Sequence, residues 1–148
     1  MAGAVDVAFE VCNRTWRRIT SRYADSRGAA ELDELERTVV LVWTVTGIVG
    51  NGGFEYLFGG DLPGDPDYHL SLEAFERIGC QDAARSLRDA IAVFPDGKVP
   101  EDGKRRRAMY MARPEDERDR LAVAFFEAEA HVTTRLAEYI REHNLRKG

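Results

Sequence analysis

The chain has 148 residues, with 21 Lys and Arg against 26 Asp and Glu, for a formal charge of −5 at pH 7. That length suits one domain with its own core, expected to span residues 1–148, and a composition 44% hydrophobic and 32% charged excludes general disorder. Asp6 and Glu10 interrupt the first apolar stretch, and the longest charge-free run, Thr38–Phe54, holds three Thr, four Gly and an Asn. Neither a secretory signal nor a bilayer span is therefore expected, and the expectation is a cytoplasmic protein.

Helical periodicity dominates from the start. Val5, Phe9, Cys12, Trp16, Ile19 and Tyr23 alternate steps of four and three, the stripe of an amphipathic helix, with Arg14, Arg18 and Arg22 on the opposite side. From Thr38 to Val49, nine of twelve residues are Val, Ile or Thr, which by propensity reads as a strand. Leu32, Leu35 and Val39 lead into that run at helical spacing, and no second strand-like run exists to pair with it. Residues 31–49 are therefore expected as a buried central helix. The run Gly50-Asn51-Gly52-Gly53 is expected to stop it, because Asn and Gly tolerate left-handed backbone.

Residues 54–58 then read as a short helical turn and 59–67, with three Gly and two Pro, as a loop. Two helices follow, Tyr68–Ile78 ended by Gly79 and Asp82–Phe94 ended by Pro95. Residues 96–113 read as an exposed connector carrying the basic run Lys104-Arg105-Arg106-Arg107. The last helix, about residues 114–145, repeats the apolar pattern at Leu121, Phe125, Ala128, Val132, Leu136 and Tyr139; Pro114 suits its first turn, and Glu115, Asp116 and Glu117 complement its dipole. The fold class is all-α, a single compact helical domain of about five or six helices around a buried central one.

Chemistry is thinly signalled. Cys12 and Cys80 make neither a disulfide framework nor a metal-ligand spacing, and Cys12 on the apolar stripe reads as a buried thiol. His131 and His143 belong to no recognisable motif, and no phosphate-binding glycine loop, nucleophile elbow or HExxH occurs. No catalytic group, cofactor or metal is expected. The loop Asp61-Leu62-Pro63-Gly64-Asp65-Pro66-Asp67-Tyr68-His69 gathers three carboxylates and an imidazole, but turn formation and helix capping account for Asp65 and Asp67. The alternative to a binding module is a small enzyme or ligand- or metal-binding domain using this 59–69 loop through Asp65, Asp67 and His69.

Charge is unevenly placed. Residues 54–102 carry eleven acids and four bases, and residues 103–120 carry seven bases and four acids. Direct nucleic-acid binding is not expected of so acidic a chain. Its acids are candidates for a face that stands in for phosphates and meets a partner's Arg and Lys: Asp61, Asp65, Asp67, Glu73, Glu76, Asp82 and Asp89. Glu73 with Arg77, and Asp89 with Arg85, are expected to pair and partly neutralise that face.

Asn51-Gly52-Gly53-Phe54, then Tyr56-Leu57-Phe58, Gly64-Asp65, Leu72–Gly79 and Phe94-Pro95 together resemble a bacterial domain family of mostly unknown function, named for the C-terminal domain of a DNA-mimic protein. The likeness covers residues 39–95 best. Members commonly follow NGGF-x with Gln, where this chain has Tyr56, and place Asn shortly after, where it has Gly60. The resemblance implies an all-helical fold. For the named member it implies a dimer whose acidic surface imitates DNA and sequesters a transcription factor. The NGGF motif itself reads as architecture: the glycines permit a sharp turn and Phe54 plugs back into the core. The resulting expectation is a non-enzymatic protein-interaction domain, partnered by a basic or DNA-binding protein, with homodimerisation through its apolar helices as a further possibility.

Overall fold

A computed structural model describes residues 3–22 and 28–143. Tyr23, the side chain of Val5, and residues 144–145 of the expected last helix lie outside the described residues. Among the described residues six α-helices follow in order: α1 (Ala4–Ser21), α2 (Glu34–Gly59), α3 (His69–Arg77), α4 (Gln81–Ile91), α5 (Gly103–Met111) and α6 (Glu115–Glu142). Single 3-10 turns lie at Ala29–Glu31 and Pro95–Gly97, and among the described residues there is no strand. No helix described is long and apolar enough to cross a membrane.

The β-branched run is helical, as the lack of a pairing partner required. Asp33 starts α2 by accepting the Glu36 N–H at 2.8 Å. Beyond it Val39, Leu41, Val42, Val45 and Val49 lose almost all contact with water, because α2 touches α1, α3, α5 and α6. A helix surrounded in this way can be apolar all round, and burial of those side chains outweighs their small preference for strand.

The expected stop is corrected by the structure. Gly50, Asn51 and Gly52 stay helical, and the interruption is confined to Gly53, at φ 76° and ψ −174°, after which the helix resumes to Gly59. One residue of glycine-only backbone is enough to redirect the axis, and it swings Phe54, Leu57 and Phe58 into the core. There Phe58 meets Phe94 at 4.9 Å, Tyr110 at 5.4 Å and Tyr68 at 5.5 Å, while Phe54 meets Phe125 at 5.7 Å, all edge to face.

The first and last helices pack on each other and on α2. Cys12 and Ile19 of α1 and Phe125, Val132, Leu136 and Ile140 of α6 are buried, whereas Phe9, on the same predicted stripe as Cys12, is 50% exposed. The exposed connector is a second correction: residues 103–111 form α5, and its Arg106 and Tyr110 are buried. Its sequence has no apolar stripe, so only the neighbours that cover it reveal it as packed helix.

Candidate interaction surface

The acidic loop between α2 and α3 is organised by a cation from elsewhere in the chain. Arg106 is 3% exposed, and its guanidinium reaches the spent end of α2. Its Nε donates to Phe58 O, one terminal nitrogen to Pro100 O and Glu101 O, and the other to Gly60 O, each at 2.8 Å, with Asp61 Oδ1 at 3.2 Å completing the set. An arginine has five N–H donors, and here all five are used. The carbonyls at a helix C-terminus lack intrahelical partners and carry the negative end of the dipole, so a buried cation is stabilised there. Gly103 lets α5 close on this junction, since a Cβ there would lie 2.7 Å from Gly59 O.

Asp65 is the mirror case, and it corrects its assignment to the outer acidic face. It is fully buried, accepting the Leu70 N–H at 2.9 Å, the Ser71 N–H at 2.8 Å and the Ser71 hydroxyl at 2.6 Å. It therefore caps the first turn of α3 from the loop, and no partner can reach it. Asp67 and His69 stand outside this cap, with Asp67 Oδ1 2.6 Å from His69 Nδ1. That hydrogen bond holds the Asp67 carboxyl below its usual range and lifts the His69 imidazole above its own. Ligand atoms of Asp65, Asp67 and His69 lie within 4.8 Å of one another. Both Asp65 oxygens are already taken by donors of α3, and the His69 nitrogen faces Asp67, so the trio works chemically as a helix cap with an ion pair beside it.

The remaining acids fall into separate groups. Asp61 lines a small cavity of about 210 Å³ on the loop side together with Arg106. Glu73 and Glu76 are exposed on α3, and Asp82 and Asp89 are exposed on α4. The pairings differ from those expected. Arg77 turns to Glu34 at 3.2 Å and donates to Thr38 Oγ1, Arg88 takes Glu76 at 2.8 Å, and Arg85 lies 3.7 Å from Asp82. Among the described residues, Glu73 and Asp89 have no ion-pair partner. Asp82 and Asp89 share an open cleft of about 410 Å³ between α4 and α6, and Glu127 joins them from the opposite wall.

Both thiols are buried and free, and burial pushes Cys12 up to about 12 and Cys80 to about 11, far from thiolate reactivity. Reading the sequence missed Arg106, hidden inside a basic run, and Glu127, which belongs to the far wall of the cleft. Neither carries a local signal, because each role depends on a neighbour distant in the chain. No curated protein and no solved structure shows a significant match to the chain. A family model does, described as DMP19-like protein and matching residues 30–143, so the chain belongs to the DMP19-like family, whose name comes from a DNA-mimic protein.

Proposed function

We propose that this chain is a non-enzymatic protein-interaction module whose acidic α3–α4 surface engages a basic, DNA-binding partner protein. The observation that carries the reading is the cleft in which Asp82 and Asp89 of α4 face Glu127 of α6. Carboxylates from two helices around one open groove offer a partner's Arg and Lys several acceptors at once, as phosphates do. Glu73 and Glu76, three apart on α3, add a pair separated by roughly 5–6 Å. Arg85 and Arg88 sit among these acids and temper the field, which selects for a partner that brings its own carboxylates or neutral groups to meet them. Membership of the DMP19-like family supports the same reading. Two buried free thiols suit a reducing, cytoplasmic setting. The family resemblance adds a homodimer, which light scattering of the purified chain measures directly.

The test compares wild type with the Asp82→Asn, Asp89→Asn, Glu127→Gln triple variant, both immobilised and exposed to native lysate at low salt. The reading expects a DNA-binding protein on the wild type that elutes with rising salt, is displaced by duplex DNA, and is lost from the variant. Equal retention on both surfaces, or capture indifferent to salt and DNA, overturns it.

A further inference from the structure

On the side formed by α1, α2 and α6, a second groove of about 510 Å³ is lined by Phe9, Trp43, Thr46, Gly47, Gly50 and Glu129. Its walls are aromatic: the Phe9 and Trp43 rings meet edge to face at 5.1 Å, and the Trp43 indole N–H is steadied by Asn13 Oδ1 at 3.3 Å. Its floor is the bare backbone of α2. Nothing lies within 4 Å of where a Cβ of Gly47 would stand, and a Cβ on Gly50 would meet Glu129 Oε1 at 2.5 Å. The glycines thus open the groove and let the Glu129 carboxylate lie against the helix.

Among the described residues, two polar groups here have no protein partner. Thr46 is 4% exposed, yet its hydroxyl makes no hydrogen bond. A buried hydroxyl left unpaired costs free energy that a bound donor or acceptor recovers. Glu129 has no cation beside it among the described residues, and burial lifts its carboxyl above the usual range. Thr46 stands four residues before Gly50 on the same face of α2, so it and the Glu129 carboxylate that lies against Gly50 line the same groove.

We infer that this groove is a binding site for a small organic cation, a primary ammonium carried on a flat apolar body. The ammonium sits between Glu129 and Thr46, and the body lies against Phe9 and Trp43. A carboxylate demands positive charge, the aromatic faces favour it further, and one carboxylate among apolar walls suits an organic cation better than a metal ion. The volume falls within the range of small-molecule sites, roughly 300–1,000 Å³.

Titration of 2-phenylethylamine into the full chain, followed by amide and indole NMR, tests this. Saturable shifts of the Trp43 indole and the Gly47 and Gly50 amides are expected. Glu129→Gln should weaken binding by about tenfold or more and Thr46→Val by a few-fold, and 2-phenylethanol, the neutral analogue, should bind the wild type at least about tenfold more weakly. Because the alcohol comparison uses wild type alone, it stands even if a variant folds poorly. Absence of saturable shifts up to about 10 mM amine, equal binding of the alcohol, or an undiminished Glu129→Gln overturns the site. Binding of tetralysine at these residues without binding of the amine also overturns it, in favour of a side chain presented by a macromolecule.

Discussion

Arg106 and Asp65, a guanidinium and a carboxylate almost without access to water, hold the two ends of the loop that joins α2 to α3. Removing a charge from water is costly, and each recovers that cost through hydrogen bonds to backbone at a helix end rather than through a simple ion pair. Lysine carries its charge at one point and cannot reach four carbonyls on separate strands of chain. Arg106→Lys should therefore lower stability by about 3 kcal/mol or more in urea unfolding; a loss within experimental error would mean that the guanidinium geometry is dispensable. Asp65→Ala leaves two N–H groups and a hydroxyl of α3 unpaired and should cost about 2 kcal/mol, with Asp65→Asn recovering part of it.

His69 and Asp67 give a residue-scale dependence on pH. A raised His69 contributes stability that is complete below its ordinary value of 6.5 and is lost as pH rises through its higher folded value. A lowered Asp67 contributes above its ordinary 3.8 and loses that contribution as pH falls through its lower folded value. The pair therefore acts most fully between those ordinary values. Both side chains are more than half exposed, so solvent screening limits the effect to about 0.5 kcal/mol or less. His69→Ala should lower the melting temperature slightly at pH 5 and not at pH 9; an equal decrease at both would assign the loss to packing.

Helix ends are where much of this chain's charge is used. Asp33 and Asp65 serve the N-termini of α2 and α3, Arg106 serves the C-terminus of α2, and Arg135 of α6 donates to Ile78 O at 2.9 Å just beyond α3. Along α2 the decisive element is Gly53, whose dihedrals only glycine adopts readily. Gly53→Ala should cost about 1–3 kcal/mol. Gly52→Ala introduces a different problem, a Cβ 2.2 Å from the Tyr56 ring, but Tyr56 is 59% exposed and its ring can rotate away. The Gly53 change is thus expected to be the more damaging of the two in a thermal melt. The reverse order would place the architectural role of the NGGF motif in packing rather than in the backbone turn.

For the molecule as a whole, net charge is a poor guide to the face a partner meets. The seven candidate acids divide into the buried cap Asp65, the loop carboxylates Asp61 and Asp67, and the exposed carboxylates of α3 and α4, while the basic run divides into a buried Arg106 and exposed neighbours. Lys104 and Arg105 are exposed and oppose the acidic surface at long range. Replacing both with Gln should leave stability unchanged and strengthen capture of the proposed basic partner a few-fold at low salt, with the difference vanishing at high salt. Unchanged capture at low salt would show that the partner's contacts are local and insensitive to this field.

What the sequence by itself determined is the class of fold and its framework. The apolar stripes of α1 and α6, the stop at Gly79 and the long uncharged run of α2 are local patterns, and helical periodicity survives in any tertiary setting that buries one face, whereas α4 ends at Ile91, before the stop expected at Pro95. The NGGF motif and its neighbours likewise pointed to the family that residues 30–143 match. Tertiary structure alone decided which charges are structural. Asp65 looks like its acidic neighbours, and Arg106 like the bases on either side, until Phe58, 48 residues away, supplies the carbonyl that Arg106 caps. It also decided that α5 is a packed helix, that Phe9 lines an open groove rather than the core, and that Glu127 faces Asp82 and Asp89 across a cleft. Burial is a sum over neighbours brought together by folding, and no window along the chain contains them.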